Sequence, residues 1–243
     1  MAETPLQQPD NLKAPETEIV PTKLVTAENE KGEKSVLESI LARTPSKEET
    51  HHIDALIENT KFLHFDTAYS TFWTKRNLDP IKEKLNNSLL LDLGGGSGEL
   101  RKTLENMEIN AKHYINVDNF RGYFKSATDQ LVINKKTFRI QKVPTERCDA
   151  INVDADMLEF LLYTQSESID NISINGIDED IVDNHEYLEE VTKQVLRVLK
   201  PGGIVFGIQG SPLNIITLKH SKEINTILDS VYGSMIFQKK VKE

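Results

Sequence analysis

LLLDLGGGSGEL, residues 89–100, joins an apolar run around one Asp to four glycines in five positions, with an acid directly after them. A short continuous apolar run indicates a buried strand, and glycine after it lets the backbone approach a ligand closely. The combination is typical of a nucleotide-type site in an α/β sheet. It decides the class of fold and leaves the ligand open.

Strand and helix patterns alternate along the chain from residue 87. Strands are predicted at 89–93, 114–117, 150–153, 169–174 and 204–208, and helices at 98–107 and 187–199. Pro201, Gly202 and Gly203 would end the second helix. This alternation predicts a doubly wound, mostly parallel Rossmann-like sheet, with ligands at the carboxyl ends of the strands.

The domain organisation follows from composition. Residues 1–50 are expected to form a disordered or loosely attached tail, since residues 1–34 are rich in proline and charge and have no sustained periodicity. Residues 51–243 would form one domain, in which residues 51–86 are a helical cap. Shorter helical patterns occur at 35–43 and 51–63.

Charge and cysteine content exclude several classes of function. The chain has 38 acidic and 29 basic residues and a net charge of −9, which does not favour a nucleic acid partner. Cys148 is the single cysteine, and the sequence has neither a leader-like start nor an apolar run long enough to span a membrane. A cytoplasmic protein without a metal site is therefore expected.

Two common ligands can be weighed against the glycine-rich turn. A phosphate loop of the Walker type needs Lys after its last glycine, and Glu99 stands there. A dinucleotide fingerprint needs a small residue at the same position, so a nicotinamide cofactor is a weak alternative. Asp92 and Glu99 flank the turn, and two carboxylates would suit a ligand with an ammonium group and a cationic sulfur.

Residues 87–209 resemble the class I S-adenosylmethionine-dependent methyltransferases of the small-molecule branch. The resemblance lies in the D-x-G-x-G-x-G motif, in an acid at the end of YINVD, in VDADMLEF and in the Leu-Lys-Pro-Gly-Gly turn after a helix. It implies S-adenosyl-L-methionine as cofactor and a set of binding residues: Asp92, Gly94, Gly96, Gly98, Asp118, Asp154 and Ala155. Asp118 would accept the ribose hydroxyls, and Asp154 the adenine amino group, although Asp156 offers a rival register.

The same resemblance leaves the acceptor open. Methyl transfer from a sulfonium depends mainly on holding the two reactants together, so a catalytic residue is not required. His185 is the candidate base for a hydroxyl acceptor. The expected acceptor is a small molecule or a protein side chain, and the alternative is a non-catalytic binding or scaffold protein of the same fold. Four upstream residues could form a lid over the cofactor: His64, Tyr69, Phe72 and Trp73.

The C-terminal edge departs from the family pattern. After Gln209 only one helix-like segment, residues 215–231, and one strand-like run, residues 234–241, are recognisable. The sheet is therefore expected to be shortened at this edge, and an exposed edge would invite a homodimer or a protein partner. Lys239, Lys240 and Lys242 would instead guard the edge against aggregation.

Overall fold

A computed structural model describes residues 35–62, 78–119, 129–174, 177, 182–208, 211–229 and 234–241. The helices are α1 (Val36–Ile40), α2 (Lys47–Glu58), α3 (Lys82–Leu85, after a 3-10 turn at Asp79–Ile81), α4 (Glu99–Asn106), α5 (Met157–Tyr163), α6 (His185–Val198) and α7 (Ser211–Lys219). The strands are β1 (Leu89–Leu93), β2 (His113–Asp118), β3 (Asp129–Ile133), β4 (Lys136–Val143), β5 (Asp149–Asp154), β6 (Ile169–Ile174), β7 (Leu199–Ile208), β8 (Ile224–Asp229) and β9 (Ser234–Lys239).

The described strands form one sheet in the order β3-β4-β5-β2-β1-β6-β7-β9-β8. Strands β5, β2, β1, β6 and β7 are parallel, and the strands at both edges pair in the antiparallel sense. Every residue of β1 is buried, as expected for a central parallel strand that is covered on both faces. The predicted doubly wound, mostly parallel sheet is confirmed.

Helices cover both faces of the sheet. On one face, α1, α2, α5, α6 and α7 pack with strand residues such as Leu91, Ile115 and Val153. On the other face, α3 and α4 pack with Leu90 and Tyr114. Because side chains alternate along a strand, Asp92 lies on the same face as Leu90 and faces the side that carries α4.

The C-terminal edge is not shortened, so that expectation was wrong. Strand β9 pairs with β7, and β8 pairs with β9, which completes the edge. The helix predicted over 215–231 ends at Lys219 because β8 follows from Ile224. The register of β8 shifts between Thr226 and Leu228, and this irregularity disrupts the alternation that identifies a strand.

Lys239 does not guard an edge, because β9 lies inside the sheet. Its side chain is buried, and Nζ donates to the carbonyl oxygens of Leu196 (2.8 Å) and Leu199 (2.7 Å). A lysine near the last carbonyls of a helix satisfies acceptors that have no partner within the helix. The side chain of Lys239 therefore binds carbonyl oxygens at the C-terminal end of α6. Lys240 is exposed, and Lys242 lies outside the described residues.

At the opposite edge, β3 and β4 form a hairpin that the sequence patterns did not predict. Asn134 and Lys135 connect the two strands with φ angles of 50° and 70°. Two consecutive positive φ angles are characteristic of a tight hairpin turn whose twist matches the flanking strands. Strand β4 pairs with β5 in the antiparallel sense, so the hairpin adds two strands beside the parallel part of the sheet.

Residues before the expected domain boundary at residue 50 also contact the main core. Helix α1 begins with a capping box between Ser35 and Glu38, and Leu37 and Leu41 are buried in the main core. The guanidinium of Arg43 donates to the carbonyl oxygen of Leu162, at 2.7 Å. The packed domain thus includes residues from 35 onward, while residues 1–34 of the expected tail lie outside the described part. No described helix is long and apolar enough to cross a membrane.

Candidate functional site

The glycine-rich turn between β1 and α4 forms the centre of the candidate site. Its φ angles are positive at Gly94 (68°), Gly96 (52°) and Gly98 (77°), a region that residues with a side chain rarely adopt. The N–H of Gly94 donates to the carbonyl oxygen of Val117 at 2.9 Å, which holds the turn at the carboxyl ends of β1 and β2. A β-carbon on Gly96 would meet no described atom within 4 Å, so this side of the turn is open.

Gly95, which the motif treats as a variable position, is the glycine that packing requires. A β-carbon there would lie 2.3 Å from Oδ2 of Asp92 and 2.5 Å from Oδ1 of Asn116. Both distances are far below van der Waals contact, and both neighbouring side chains are fully buried. The backbone of the turn therefore lies directly on the polar groups beneath it.

Those polar groups form a row across the strands. Asp92 on β1 is in register with Asn116 on β2, and Asn116 is in register with Asn152 on β5. The Asn116 amide donates to the carbonyl oxygen of Gly96 at 2.9 Å and to Oδ1 of Asn152 at 3.2 Å. Its own Oδ1 is buried and has no hydrogen-bond partner in the part of the chain that the structure describes. The row supports the turn from below.

Asp92 holds the turn from inside the protein. Its carboxylate is fully buried and accepts a hydrogen bond from the hydroxyl of Tyr114. Burial and the neighbouring Asp92 charge raise the pKa of Tyr114 well above its ordinary value, so the hydroxyl remains a donor. The contact that the resemblance implies for Asp92, with the amino group of the cofactor directly or through water, stays a prediction.

Glu99, the second acid beside the turn, is engaged on its own helix. Its carboxylate accepts from Lys102 at 2.5 Å and from the hydroxyl of Ser97 at 3.1 Å, and these contacts lower its pKa. The two acids that flank the turn in sequence are thus occupied by other partners. Asp118 and Asp154 carry carboxylates at the carboxyl ends of β2 and β5.

Asp118 connects β2 to the glycine-rich turn. It is the last residue of β2, it is partly exposed, and its Oδ2 accepts from the N–H of Gly96 at 2.8 Å. The structure therefore brings together the turn and the acid that the sequence places after the second strand. A carboxylate has about four lone-pair positions, so this bond is compatible with a ligand hydroxyl on the same group.

Asp154 and Ala155 lie beside Asp118. Asp154 is in register with Asp118 at the end of β5, and the N–H of Ala155 donates to the carbonyl oxygen of Asp118 at 3.2 Å. The Asp154 carboxylate also pairs with Arg139 on β4, at 3.0 Å. Three of the predicted site residues are thus adjacent at the carboxyl ends of β2 and β5.

Asp156, the rival register for Asp154, caps a helix. Its Oδ1 accepts from the N–H groups of Leu158 (2.8 Å) and Glu159 (3.3 Å) at the start of α5. The hydroxyl of Tyr187 on α6 also donates to it, at 3.0 Å to Oδ1 and 2.9 Å to Oδ2. Burial outweighs these hydrogen bonds and raises the pKa of Asp156 to about 6. Its contacts favour Asp154 as the residue at the strand end.

His185 is the first residue of α6, and its side chain is 58% exposed. Its Nε2 lies 2.9 Å from Oε1 of Glu189, and Glu189 also pairs with Lys219 of α7. The candidate base is thus part of an ion-pair network on the protein surface. Tyr187, two residues later, faces inward and reaches Asp156.

The upstream aromatic residues His64, Tyr69, Phe72 and Trp73 lie outside the described residues. Phe62, just before them, is described, and its ring packs edge-on against Tyr187 with centroids 5.4 Å apart. The same segment is tied to the start of α6, because the N–H of Lys61 donates to Oδ1 of Asp183 at 2.8 Å and Phe62 forms an antiparallel bridge with Val182.

The carboxyl ends of β1, β2 and β5 bring hydrogen-bond donors and acceptors together. Gly96 leaves open space above the turn, and Gly98, the N-cap of α4, has no side chain to cap the first N–H groups of the helix. Carboxylates on two adjacent strands offer acceptors for hydroxyl and amino groups. Within the described ranges no group of three His, Cys, Asp or Glu side chains is arranged to hold a metal ion.

Comparisons with known proteins give structural similarity at low sequence identity. No protein-family model matches the chain, and no curated protein matches it. The N-methyltransferase NodS from Bradyrhizobium japonicum superposes with a TM-score of 0.45 at 14% identity, over 70% of this chain and 98% of that chain. A SAM-dependent methyltransferase from Methanosarcina mazei gives a TM-score of 0.44 at 14% identity, over 67% of this chain and 97% of that chain. Similarity of this degree assigns neither a substrate nor a site residue to this chain.

Proposed function

We propose that this protein is an S-adenosylmethionine-dependent methyltransferase. The observation that carries the proposal is the 2.8 Å hydrogen bond from the N–H of Gly96 to Asp118, beside the in-register pair of Asp118 and Asp154. An open glycine turn next to two acids at the carboxyl ends of parallel strands offers backbone donors and carboxylate acceptors at one place. An adenosyl group linked to a charged amino acid requires both.

Each part of the ligand has a matching part of the chain. The glycine-rich turn and the uncapped start of α4 would hold the amino-acid half, because N–H groups at a helix start favour a carboxylate. Asp118 would accept from the ribose hydroxyls while it keeps its bond to Gly96. Asp154 would accept from the adenine amino group, and the backbone at Ala155 would lie against the ring.

Asp92 has a supporting role in this proposal. Its carboxylate holds the turn in position from below, through the buried contact with Tyr114 and the close packing of Gly95. A turn whose backbone is already fixed loses little conformational entropy when a ligand binds. Rigid support from the sheet therefore favours tight binding of the donor.

When bound, S-adenosylmethionine would supply a methyl group on a sulfonium for in-line transfer to the acceptor atom, with the thioether as leaving group. The contribution of the chain is to hold the donor in one orientation, which accounts for much of the acceleration in reactions of this kind. Asp118 and Asp154 give the edge a negative potential that favours a cationic ligand over its neutral product. A proton on the acceptor atom leaves to solvent or to a base.

The acceptor in this proposal is a small molecule, and a protein side chain is the second candidate. The segment between β6 and α6 follows the carboxyl end of a strand beside β1, which is where an acceptor would approach the donor. The contacts of Lys61 with Asp183 and of Phe62 with Val182 lie at the end of this segment. The N-terminal part of the domain would thus border the acceptor side.

Calorimetric titration tests the proposal. Purified protein is titrated with S-adenosylmethionine, S-adenosylhomocysteine and NADH, and the titrations are repeated with Asp118→Asn and with Asp149→Asn as the matched control. Asp149 is the first residue of β5, at the other end of the strand from Asp154, and its side chain is 77% exposed. We expect micromolar binding of the two adenosyl ligands, a loss of at least about tenfold in Asp118→Asn, and no change in the control.

Other outcomes separate the alternatives. Binding of NADH in place of the adenosyl ligands would overturn the proposal in favour of a nicotinamide cofactor. Binding of the adenosyl ligands without methyl transfer to any acceptor in a broad screen would favour the non-catalytic module of the same fold.

A further inference from the structure

The hairpin β3–β4 places a positive charge beside the candidate site at the carboxyl ends of β2 and β5. Arg139 on β4 is directly opposite Asp154 on β5, and its Nη1 lies 3.0 Å from Oδ2 of Asp154. Asp154 is in turn opposite Asp118 on β2. Side chains on three adjacent strands therefore form a row of one cation and two acids: Arg139, Asp154 and Asp118.

The position of Arg139 is fixed by its neighbours on β4. Phe138 is buried and packs edge-on against Phe160 at 6.1 Å and against Tyr163 at 5.8 Å, measured between ring centroids. Ile140 is buried on the same face. Because successive side chains on a strand point to opposite faces, Arg139 must lie on the face that carries Asp154.

The positive charge of Arg139 reduces the repulsion between two neighbouring carboxylates. Like charges that are directly opposite on adjacent strands repel each other, and Asp118 and Asp154 are such a pair. The positive charge of Arg139 offsets the negative charge of Asp154, because Arg139 lies on the side of Asp154 that is away from Asp118. The Asp154 side chain is 18% exposed and the Arg139 side chain 50%, so the carboxylate is the more shielded partner of the pair.

We propose that Arg139 is a positioning residue for base recognition: it holds the carboxylate of Asp154 in the orientation that accepts the exocyclic amino group of a purine. The inference rests on the proposed function, since it gives Asp154 an adenine to recognise. Nη1 of Arg139 donates to Oδ2 of Asp154, and a charge-assisted hydrogen bond of this kind is stronger than a neutral one. The carboxylate keeps further lone pairs for the ligand.

The test compares two ligands on several variants. S-adenosylhomocysteine and its 6-deamino analogue, which lacks only the purine amino group, are titrated calorimetrically into the wild type, Arg139→Gln and Arg139→Lys. The matched control is Lys136→Gln, because Lys136 belongs to the same hairpin and pairs with Glu159 on the other face of the sheet. Thermal melting of each variant shows that it is folded.

The ratio of the two affinities is the decisive quantity. We expect the wild type to prefer S-adenosylhomocysteine by about tenfold, which is typical of a hydrogen bond to a charged group. Arg139→Gln should reduce this preference to about twofold or less, while Arg139→Lys restores part of it and Lys136→Gln keeps it. A purely structural role of Arg139 would weaken both ligands equally and leave the ratio unchanged.

Failure of the inference and failure of the proposed function give different results. If the wild type binds S-adenosylhomocysteine and Arg139→Gln retains the tenfold preference, the role of Arg139 is overturned and the cofactor stands. If Arg139→Gln binds S-adenosylhomocysteine more tightly than the wild type does, Arg139 competes with the ligand for Asp154. If the wild type binds neither ligand, the proposed function itself is wrong.

Discussion

The hydroxyl of Tyr114 donates a hydrogen bond to the buried carboxylate of Asp92, directly beneath the backbone of Gly95. Tyr114 and Asp92 lie on the adjacent strands β2 and β1, so the contact links the sheet to the turn above it. The turn consequently lies directly on buried groups of the sheet.

Gly95→Ala and Gly96→Ala should both destabilise the fold, and they should differ mainly in their effect on ligand binding. A β-carbon at residue 95 would overlap Asp92 and Asn116, so Gly95→Ala should lower the free energy of unfolding by about 1–3 kcal/mol. At Gly96 there is space, and the cost is the strain of φ = 52°, about 1–2 kcal/mol. Because residue 96 faces the open side, Gly96→Ala should chiefly weaken S-adenosylhomocysteine. Urea unfolding and calorimetry distinguish the two effects, and equal behaviour of the variants would contradict this account of the turn.

Tyr114→Phe should destabilise the fold by about 1–3 kcal/mol, because it removes a hydrogen-bond donor from a buried carboxylate. Tyr163→Phe is the matched control, since the ring of Tyr163 packs against Phe138 and the change removes only a hydroxyl. We expect the control to stay within about 0.5 kcal/mol of the wild type in urea unfolding. Similar losses in both variants would mean that the contact with Asp92 has no special weight.

Asp156→Asn should make the protein more stable at neutral pH. The pKa of Asp156 is raised to about 6 from its ordinary value of 3.8. The folded state therefore binds the proton more tightly than the unfolded state, and the stability that this group contributes falls as the pH rises from about 4 to above 6. Asn still accepts from Tyr187 and from the start of α5, and it carries no charge.

Urea unfolding at pH 4.5 and pH 7.5 checks this prediction. The gain of Asp156→Asn over the wild type should be about 1–3 kcal/mol at pH 7.5 and should shrink markedly at pH 4.5. Glu146→Gln, at an exposed position before β5, should show no such dependence. A gain that is the same at both pH values would exclude titration of Asp156 as its cause.

Lys239→Met and Lys240→Met test the packing of the C-terminal edge. Lys239→Met leaves the carbonyl oxygens of Leu196 and Leu199 without their lysine donor, and we expect a loss of about 1–3 kcal/mol in the free energy of unfolding. Lys240 is exposed and donates only to the carbonyl oxygen of Lys222, at 3.0 Å, so its replacement should cost less than about 0.5 kcal/mol. The reverse order would contradict an internal β9.

Much of the central sheet follows from local sequence patterns. The strand at 89–93, the glycine-rich turn and the position of Asp118 at a strand end were all predictable, because each depends on a few neighbouring residues. The polar row beneath the turn was not, because it depends on which residues of different strands lie opposite one another. One signal was present: the tetrapeptide Ile-Asn-Val-Asp occurs at 115–118 and again at 151–154, and the two copies pair in register.

Both edges of the sheet were harder to predict than its centre. Strand β8 contains a register shift, and its apolar residues Ile224, Ile227 and Leu228 have the spacing of a helix face. The hairpin β3–β4 turns at Asn134 and Lys135, without the Asn-Gly pair that identifies such turns most clearly. Arg139 was therefore missed as a site residue, since its place beside Asp154 depends on that hairpin.

Strand β9 lies between β7 and β8, although it follows both of them along the chain. During synthesis on the ribosome β8 emerges first, but among the described strands its hydrogen-bonding partner is β9. Because β8 and β9 are consecutive antiparallel strands, their pairing is local, and the pairing of β9 with β7 joins both strands to the rest of the sheet. The two strands should therefore become protected from amide exchange together, as one unit.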